Sequence, residues 1–188
     1  GVSDFTVEPE TSKNKGGEQY ELRADTHPSV IYVNYKSVID ETSEYLLPRV
    51  KIEISCLSMD EPVEEKTIRS FISEAIPEAE DVSVNFNTVI PTRTFLEKIF
   101  LLHEEFQKEK PRSYRMSRHL YDLEKIMDTS FGKDALADKN LYDEIVKHRS
   151  IFNRMSFVDY TTHAPATVNF IPSEEVKPDW ENDYNALT

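Results

Sequence analysis

Val82-Ser83-Val84-Asn85-Phe86, followed by Pro91-Thr92-Arg93-Thr94-Phe95-Leu96-Glu97-Lys98-Ile99, is where the chain changes its apolar period. Before Pro91 apolar residues alternate, as they do on a strand with one buried face. After it Phe95, Ile99, Leu102 and Phe106 recur at i, i+4, i+7 and i+11, the stripe of an amphipathic helix. Thr94 and Glu97 stand at capping-box spacing at the start of that helix, and Pro111 ends the segment. A period that switches once, from two to 3.6, argues for α+β, with the helices in a layer or subdomain of their own.

Towards the N-terminus, Val30-Ile31-Tyr32-Val33-Asn34-Tyr35 is β-branched and aromatic. Val50-Lys51-Ile52-Glu53-Ile54-Ser55-Cys56 alternates, with Val50, Ile52, Ile54 and Cys56 on one face. A short strand is expected at Tyr20 to Arg23, preceded by a turn at Ser12-Lys13-Asn14-Lys15-Gly16-Gly17. Glu64 to Ala75 predicts a helix stopped by Pro77. Towards the C-terminus, Met116, Leu120, Leu123 and Met127 predict a second helix, with Gly132 just past its end. Leu141, Ile145, Phe152 and Met155 predict a third, from about Asn140 to Met155. From Ser156, Pro165, Pro172 and Pro178 predict extended loops. The expected organisation is a polar segment at 1–28, either hairpin or disordered, a partial sheet with one helix at 29–92, a helical subdomain at 93–155 and an extended tail at 156–188.

Ten Phe, nine Tyr and a hydrophobic share of 38% suffice for a core. No apolar run approaches the ~20 residues that span a bilayer. Gly1-Val2-Ser3-Asp4 has neither the basic start nor the apolar stretch of a leader, so a cytoplasmic protein is expected. A single cysteine excludes an internal disulfide and suits a reducing compartment. Ile54 and Leu57 beside it predict that Cys56 is a buried, inert thiol. The net charge of -13 repels a phosphate backbone, which excludes extensive wrapping of nucleic acid and leaves room only for a small local basic patch.

Most catalytic motifs are absent: there is no Walker loop and no nucleophile elbow. His103-Glu104-Glu105-Phe106-Gln107 begins like a zincin motif, but Gln107 stands where the second His must be. Three candidates remain. Arg118, Asp122 and Lys125 share one face of the second helix, either as a surface ion pair or as part of a site. Lys98, on the polar side of its helix, is either solvated or a ligand-holding cation. Glu53 projects opposite Val50, Ile52 and Ile54, either as ordinary polar surface or as a rigidly held carboxylate for a hard cation.

Thr92-Arg93-Thr94-Phe95-Leu96-Glu97-Lys98-Ile99, closely followed by Arg118-His119-Leu120-Tyr121-Asp122-Leu123, resembles the paired signature of the AbiEii/AbiGii nucleotidyltransferase toxins. The strand around Glu53 is similar to a family strand bearing a further acid, and Asn182-Asp183-Tyr184 to a later, weaker signature. The resemblance covers roughly residues 28–185. It implies a nucleotidyltransferase fold with a mixed sheet, Mg²⁺ and a nucleoside triphosphate. It also implies transfer of nucleotides to an RNA acceptor such as tRNA, and a cognate antitoxin. Carried over by motif, Lys98 and Asp122 are catalytic, Lys98 and Arg118 bind nucleotide, and Glu53 is metal-associated.

The sequence departs from the family at its start. Gly16-Gly17 is not followed by the D-x-D strand that chelates metal, and Asp122 and Glu124, although so spaced, diverge by roughly 200° on a helix. The expectation is therefore an incomplete piece, inactive by itself, in which Glu53, Lys98 and Asp122 converge on one cleft. The alternative is a non-catalytic interaction domain that pairs with a missing half or with an antitoxin.

Overall fold

The protein is described here from a computed structural model that places residues 5–15, 18–21, 29–37, 47–54, 63–76, 78 and 83–186. The chain divides into two compact units, residues 1–58 and 59–188. Strands dominate the first and helices the second, so the fold is α+β.

In the first unit β1 (Phe5–Pro9), β4 (Ser29–Tyr35) and β5 (Arg49–Ile54) form one antiparallel sheet in the order β1-β4-β5. Phe5 pairs with Tyr35, Val7 with Val33, Val33 with Val50 and Ile31 with Ile52. That register gathers Phe5, Val7, Tyr35, Val50, Ile52 and Ile54 on one face. It turns Thr6, Tyr32, Asn34, Arg49, Lys51 and Glu53 to the other, because strand side chains alternate. β2 (Ser12–Lys15) and β3 (Glu18–Glu21) pair as a separate antiparallel ladder. Ser12 to Lys15, expected as part of a turn, is therefore strand. Gly16, Gly17, Leu22, Arg23, Ser55 and Cys56 lie outside the described residues, and with them the turn at the glycines and the burial of the thiol.

The second unit opens with β6 (Val63–Arg69) paired antiparallel to β7 (Ser83–Val89). Residues 64–75 are thus not the expected helix. β-branched Val63, Thr67 and Ile68 favour extended backbone, and the Thr67 hydroxyl donates to Asn85 Oδ1 across the pair at 2.9 Å. Only α1 (Phe71–Ala75) is helical, capped by Ser70, whose hydroxyl accepts the Ser73 N–H. Pro77 is outside the described residues. Every described ladder is antiparallel, so the mixed sheet is not formed among the described residues.

Five helices follow: α2 (Pro91–Glu105), α3 (Ser117–Met127), α4 (Ser130–Ala137), α5 (Lys139–His148) and α6 (Lys177–Asn185). α2 supplies Phe95, Leu96, Ile99, Phe100 and Leu102 to the core, where they meet Met116, Leu123, Ala135, Ile145 and Trp180. Each large apolar side chain buried this way is worth roughly 1.5–3 kcal/mol, which makes α2 the hub of the unit.

Four expectations are corrected here. α2 starts at Pro91, with Ile90 as N-cap and no side-chain cap, because proline suits the first helical position. Glu97 instead takes Arg93 as partner, so the Thr94–Glu97 capping box is not made. Gly132 lies inside α4 rather than past a helix end; a Cβ there would stand 2.6 Å from the Ile126 carbonyl, so its bareness lets α4 fold back on α3. α5 ends at His148 and passes through a π-turn (Arg149–Asn153) to Arg154, whose left-handed φ of 41° stops it short of Met155. The supposed loop tail carries a 3₁₀ turn (Tyr160–Thr162) and α6, whose Trp180 is buried in the core.

Candidate functional site

The apolar stripe of α2 fixes its rotation, and so fixes where the polar residues between the stripe positions emerge. Lys98 emerges beside α3, with its side chain 20% exposed, and its Nζ lies 2.7 Å from Asp122 Oδ2. The same ammonium lies 3.3 Å from His119 Nδ1. An ammonium only donates, so Nδ1 accepts and the imidazole proton sits on Nε2. His119 and Asp122 stand at i and i+3 on α3 and present both acceptors to one cation.

Burial, reinforced by Lys98 and Arg118, pushes the His119 pKa down to about 4. The ring is therefore neutral at physiological pH. The site is a charged Lys–Asp pair with a neutral imidazole at its edge and an exposed guanidinium, Arg118, close enough to act on that imidazole. Asp122 pairs with Lys98, not with Arg118 as its helix spacing suggested. Lys125 pairs with Glu124 at 2.9 Å and stands 5.2 Å over the Tyr121 ring.

Glu53 belongs to the first unit, where it is half exposed and pairs with Lys51 Nζ at 2.5 Å. The Lys98–Asp122 pair is formed wholly within the second unit.

Several residues that the sequence did not single out support α2 from behind. Arg149, in the turn after α5, reaches Glu104 through Nε at 2.7 Å and also hydrogen-bonds Glu97, which in turn holds Arg93 at 3.0 Å. His163 Nε2 lies 3.2 Å from Glu104. Burial by itself would raise the Glu104 pKa, but Arg149 and His163 outweigh it and hold the carboxyl below its ordinary value. His103 packs edge-on to His163 and accepts the Asn169 N–H at Nδ1 (3.0 Å), which leaves Nε2–H to donate to the Thr162 hydroxyl. Burial and His163 push its pKa down. The i, i+7 spacing of Glu97 and Glu104 on one helical face was a legible signal; Arg149, 45 residues beyond Glu104 in sequence, was not.

On its other face α3 lines a groove of about 930 Å³ with Leu120, Tyr121, Phe170, Trp180 and Tyr184 among its walls. Lys125 also lines it, whereas Glu53, Lys98, Arg118 and Asp122 do not.

The described residues do not fit a protein-held metal cage. Among them no group of three His, Cys, Asp or Glu could hold an ion. Asp122 is a single carboxylate already neutralised by Lys98. Among the described residues no helix is long and apolar enough to cross a membrane.

Compared with known proteins, the chain matches no curated protein and no solved structure. A family profile described as "Nucleotidyl transferase AbiEii toxin, Type IV TA system" matches residues 2–188, nearly the whole chain and beyond the roughly 28–185 over which the motifs resemble it. The chain therefore belongs to the nucleotidyl transferase AbiEii toxin family of type IV toxin–antitoxin systems.

Proposed function

We propose that the Lys98–Asp122 pair is the catalytic centre of a nucleotide transfer from a nucleoside triphosphate to an RNA hydroxyl, with a tRNA 3′ end as the acceptor. The observation that carries this reading is the 2.7 Å contact that joins the two motif helices across 122 − 98 = 24 positions.

In the reaction an acceptor oxygen attacks the α-phosphorus as the hydroxyl proton leaves, the new P–O bond forms, and pyrophosphate departs. Charge builds up on the phosphate oxygens, and a positioned ammonium stabilises it. Lys98 supplies that charge. Asp122 keeps it charged and aimed until the triphosphate displaces the carboxylate; the freed carboxylate then orients the hydroxyl and accepts its proton. Arg118, exposed beside the pair, binds an outer phosphate. Mg²⁺ enters this reading as a companion of the triphosphate, since it keeps several waters and needs only one or two carboxylates besides phosphate oxygens. Glu53, a carboxylate held on strand β5 of the first unit, is carried forward from its motif as a metal-associated residue.

The test is calorimetry and label transfer together. The wild-type chain with Mg²⁺ and each labelled nucleoside triphosphate is incubated with total tRNA, beside Lys98→Ala. Loss of binding and transfer in the variant supports the reading. Undiminished transfer by Lys98→Ala ends it.

A second reading, a protein-interaction role towards an antitoxin, is favoured by one feature. Phe5, Val7, Tyr35, Val50, Ile52 and Ile54 are each 42–56% exposed on one face of the β1-β4-β5 sheet. Apolar faces of that kind mark interaction surfaces. A chain that stays monomeric and retains no co-expressed antitoxin on purification excludes it.

A further inference from the structure

α3 carries Asp122 and His119, yet its own N-terminus is poorly made. The N-cap position is Met116, in αR conformation (φ −101°, ψ −28°) with no side-chain cap. Met116, 1% exposed and packed in the core, has no side-chain oxygen to accept a backbone N–H. An uncapped helix start leaves several N–H groups without acceptors.

The Ser117 N–H among them, together with the Arg115 N–H just before the helix, is satisfied from across the unit, the former from 66 residues away. Asp183 on α6 accepts the Arg115 N–H at 2.6 Å through Oδ1 and the Ser117 N–H at 3.0 Å through Oδ2, and it accepts the Ser117 hydroxyl as well. Its carboxylate also meets the positive end of the α3 dipole. Arg115 has a φ of 58°, a conformation unusual for an arginine, so the loop entering α3 is held in place and does not relax freely. On its α2 side the same loop is tied by Glu105, which accepts the Arg112 N–H at 2.7 Å. α6 can hold Asp183 there because Trp180, one turn earlier, is 2% exposed and anchored against Phe106 at a ring distance of 5.0 Å.

We infer that Asp183 is a positioning residue of the proposed site: it acts through the α3 N-terminus to set Asp122 and His119 against Lys98. The inference rests on the catalytic reading above for its consequence in turnover, while its structural part stands by itself. The C-terminal segment is then part of the transfer machinery without touching substrate.

Asp183→Asn in the full chain tests this. The substitution keeps the size of the side chain but turns a donor towards the amides and removes the charge. Two readouts are taken that a general loss of stability does not move in this pattern. One is the acid titration of His119 by NMR: groups facing the ring are Lys98, Arg118, Asp122 and Arg112, and its low midpoint depends on α3 lying close against α2. The midpoint is expected to rise by at least about one pH unit towards the ordinary histidine value. The other is transfer from labelled nucleoside triphosphate to tRNA. Lys98 sits on α2 and is not displaced, whereas Arg118, His119 and Asp122 move with α3, so kcat falls at least about tenfold and by clearly more than KM rises.

A variant with an unmoved His119 midpoint overturns the inference, and so does an equal loss in kcat and rise in KM. Should the wild-type chain transfer no nucleotide, the catalytic reading fails by itself, and the His119 titration still decides the positioning. Should Asp183→Asn not fold, Ser117→Ala and Asp183→Glu take its place. Ser117→Ala removes only the hydroxyl that Asp183 accepts and is expected to leave the midpoint in place, whereas Asp183→Glu, which keeps the charge but displaces the carboxylate from both amides, is expected to raise it; no shift in Asp183→Glu overturns the inference.

Discussion

At the scale of single residues the Lys98 ammonium is shared between a carboxylate and a neutral ring, and each acceptor gives a prediction. Asp122 competes with phosphate for Lys98. Asp122→Asn is therefore expected to tighten nucleoside triphosphate binding about threefold or more while lowering kcat at least about a hundredfold, because it removes a ground-state rival and a proton acceptor together. Calorimetry and turnover on the same variant check this, and weaker binding in Asp122→Asn removes the competition argument. His119 predicts a pH dependence. Its folded pKa is about 4 against an ordinary histidine value of 6.5, so between these values the unfolded chain takes up a proton that the folded chain refuses. Stability is complete above pH 6.5 and is lost as pH falls towards 4, by at most about 3 kcal/mol from this ring. The lowered pKa values of His103 and Glu104 add acid lability in the same direction. In urea titrations across that range His119→Gln is expected to flatten the curve without changing its sign. A variant as steep as wild type assigns the whole effect to the other two groups.

At the scale of elements α2 is held on its far side by a buried ion network rather than by apolar contact alone. Arg149 and Glu104 are 8% and 3% exposed. Arg149→Met removes a guanidinium that faces both Glu97 and Glu104 and strands a buried carboxylate, at a cost of about 3–5 kcal/mol. The matching control is the exposed α5 pair of Lys139 and Asp143, where Lys139→Ala is expected to change nothing measurable. Chemical denaturation of the two variants separates the cases, and equal midpoints would show that the network contributes no more than a surface pair. How legible these elements were depended on where their information lies. α2 and α3 could be read because a 3.6-residue apolar stripe is a local signal, and the same motifs brought Lys98 and Asp122 forward. β6 was misread as helix because Glu64, Glu65 and Lys66 are helix formers, whereas the pairing with Ser83–Val89 that makes it a strand is non-local. α4 was missed because Gly132, a helix-ending residue by propensity, is there for close approach to Ile126 and Met127. α6 was missed because its only buried residues are Trp180 and Asp183, too few to make a stripe. Asp183, Arg149 and His163 reach their partners across 45 to 66 residues, and no spacing rule predicts that.

At the scale of the whole molecule the difficulty is charge: a protein of net charge -13 is proposed to act on a polyanion. The second unit resolves it locally. Lys98, Arg112 and Arg118 all act on one imidazole, so three cations lie within electrostatic reach of a single point on a predominantly acidic chain. Such a patch is large enough for the phosphates beside a reacting end and too small to follow a strand. Binding to single-stranded RNA releases roughly 0.7 counterions for each phosphate neutralised, so three cations predict a log–log salt slope of about −2. The acidic surround also repels the remainder of a long acceptor, so a short 3′-end fragment is expected to bind as tightly as intact tRNA. Fluorescence anisotropy with both RNAs over a salt series measures the two quantities together. A slope several times steeper, with intact tRNA much the tighter ligand, requires a long basic track along the acceptor and displaces the Lys98–Asp122 region as the principal RNA contact. A shallow slope with equal affinities leaves the acceptor end held by the site alone, and acceptor choice then follows from what fits beside Lys98 and Asp122 rather than from recognition of the tRNA body.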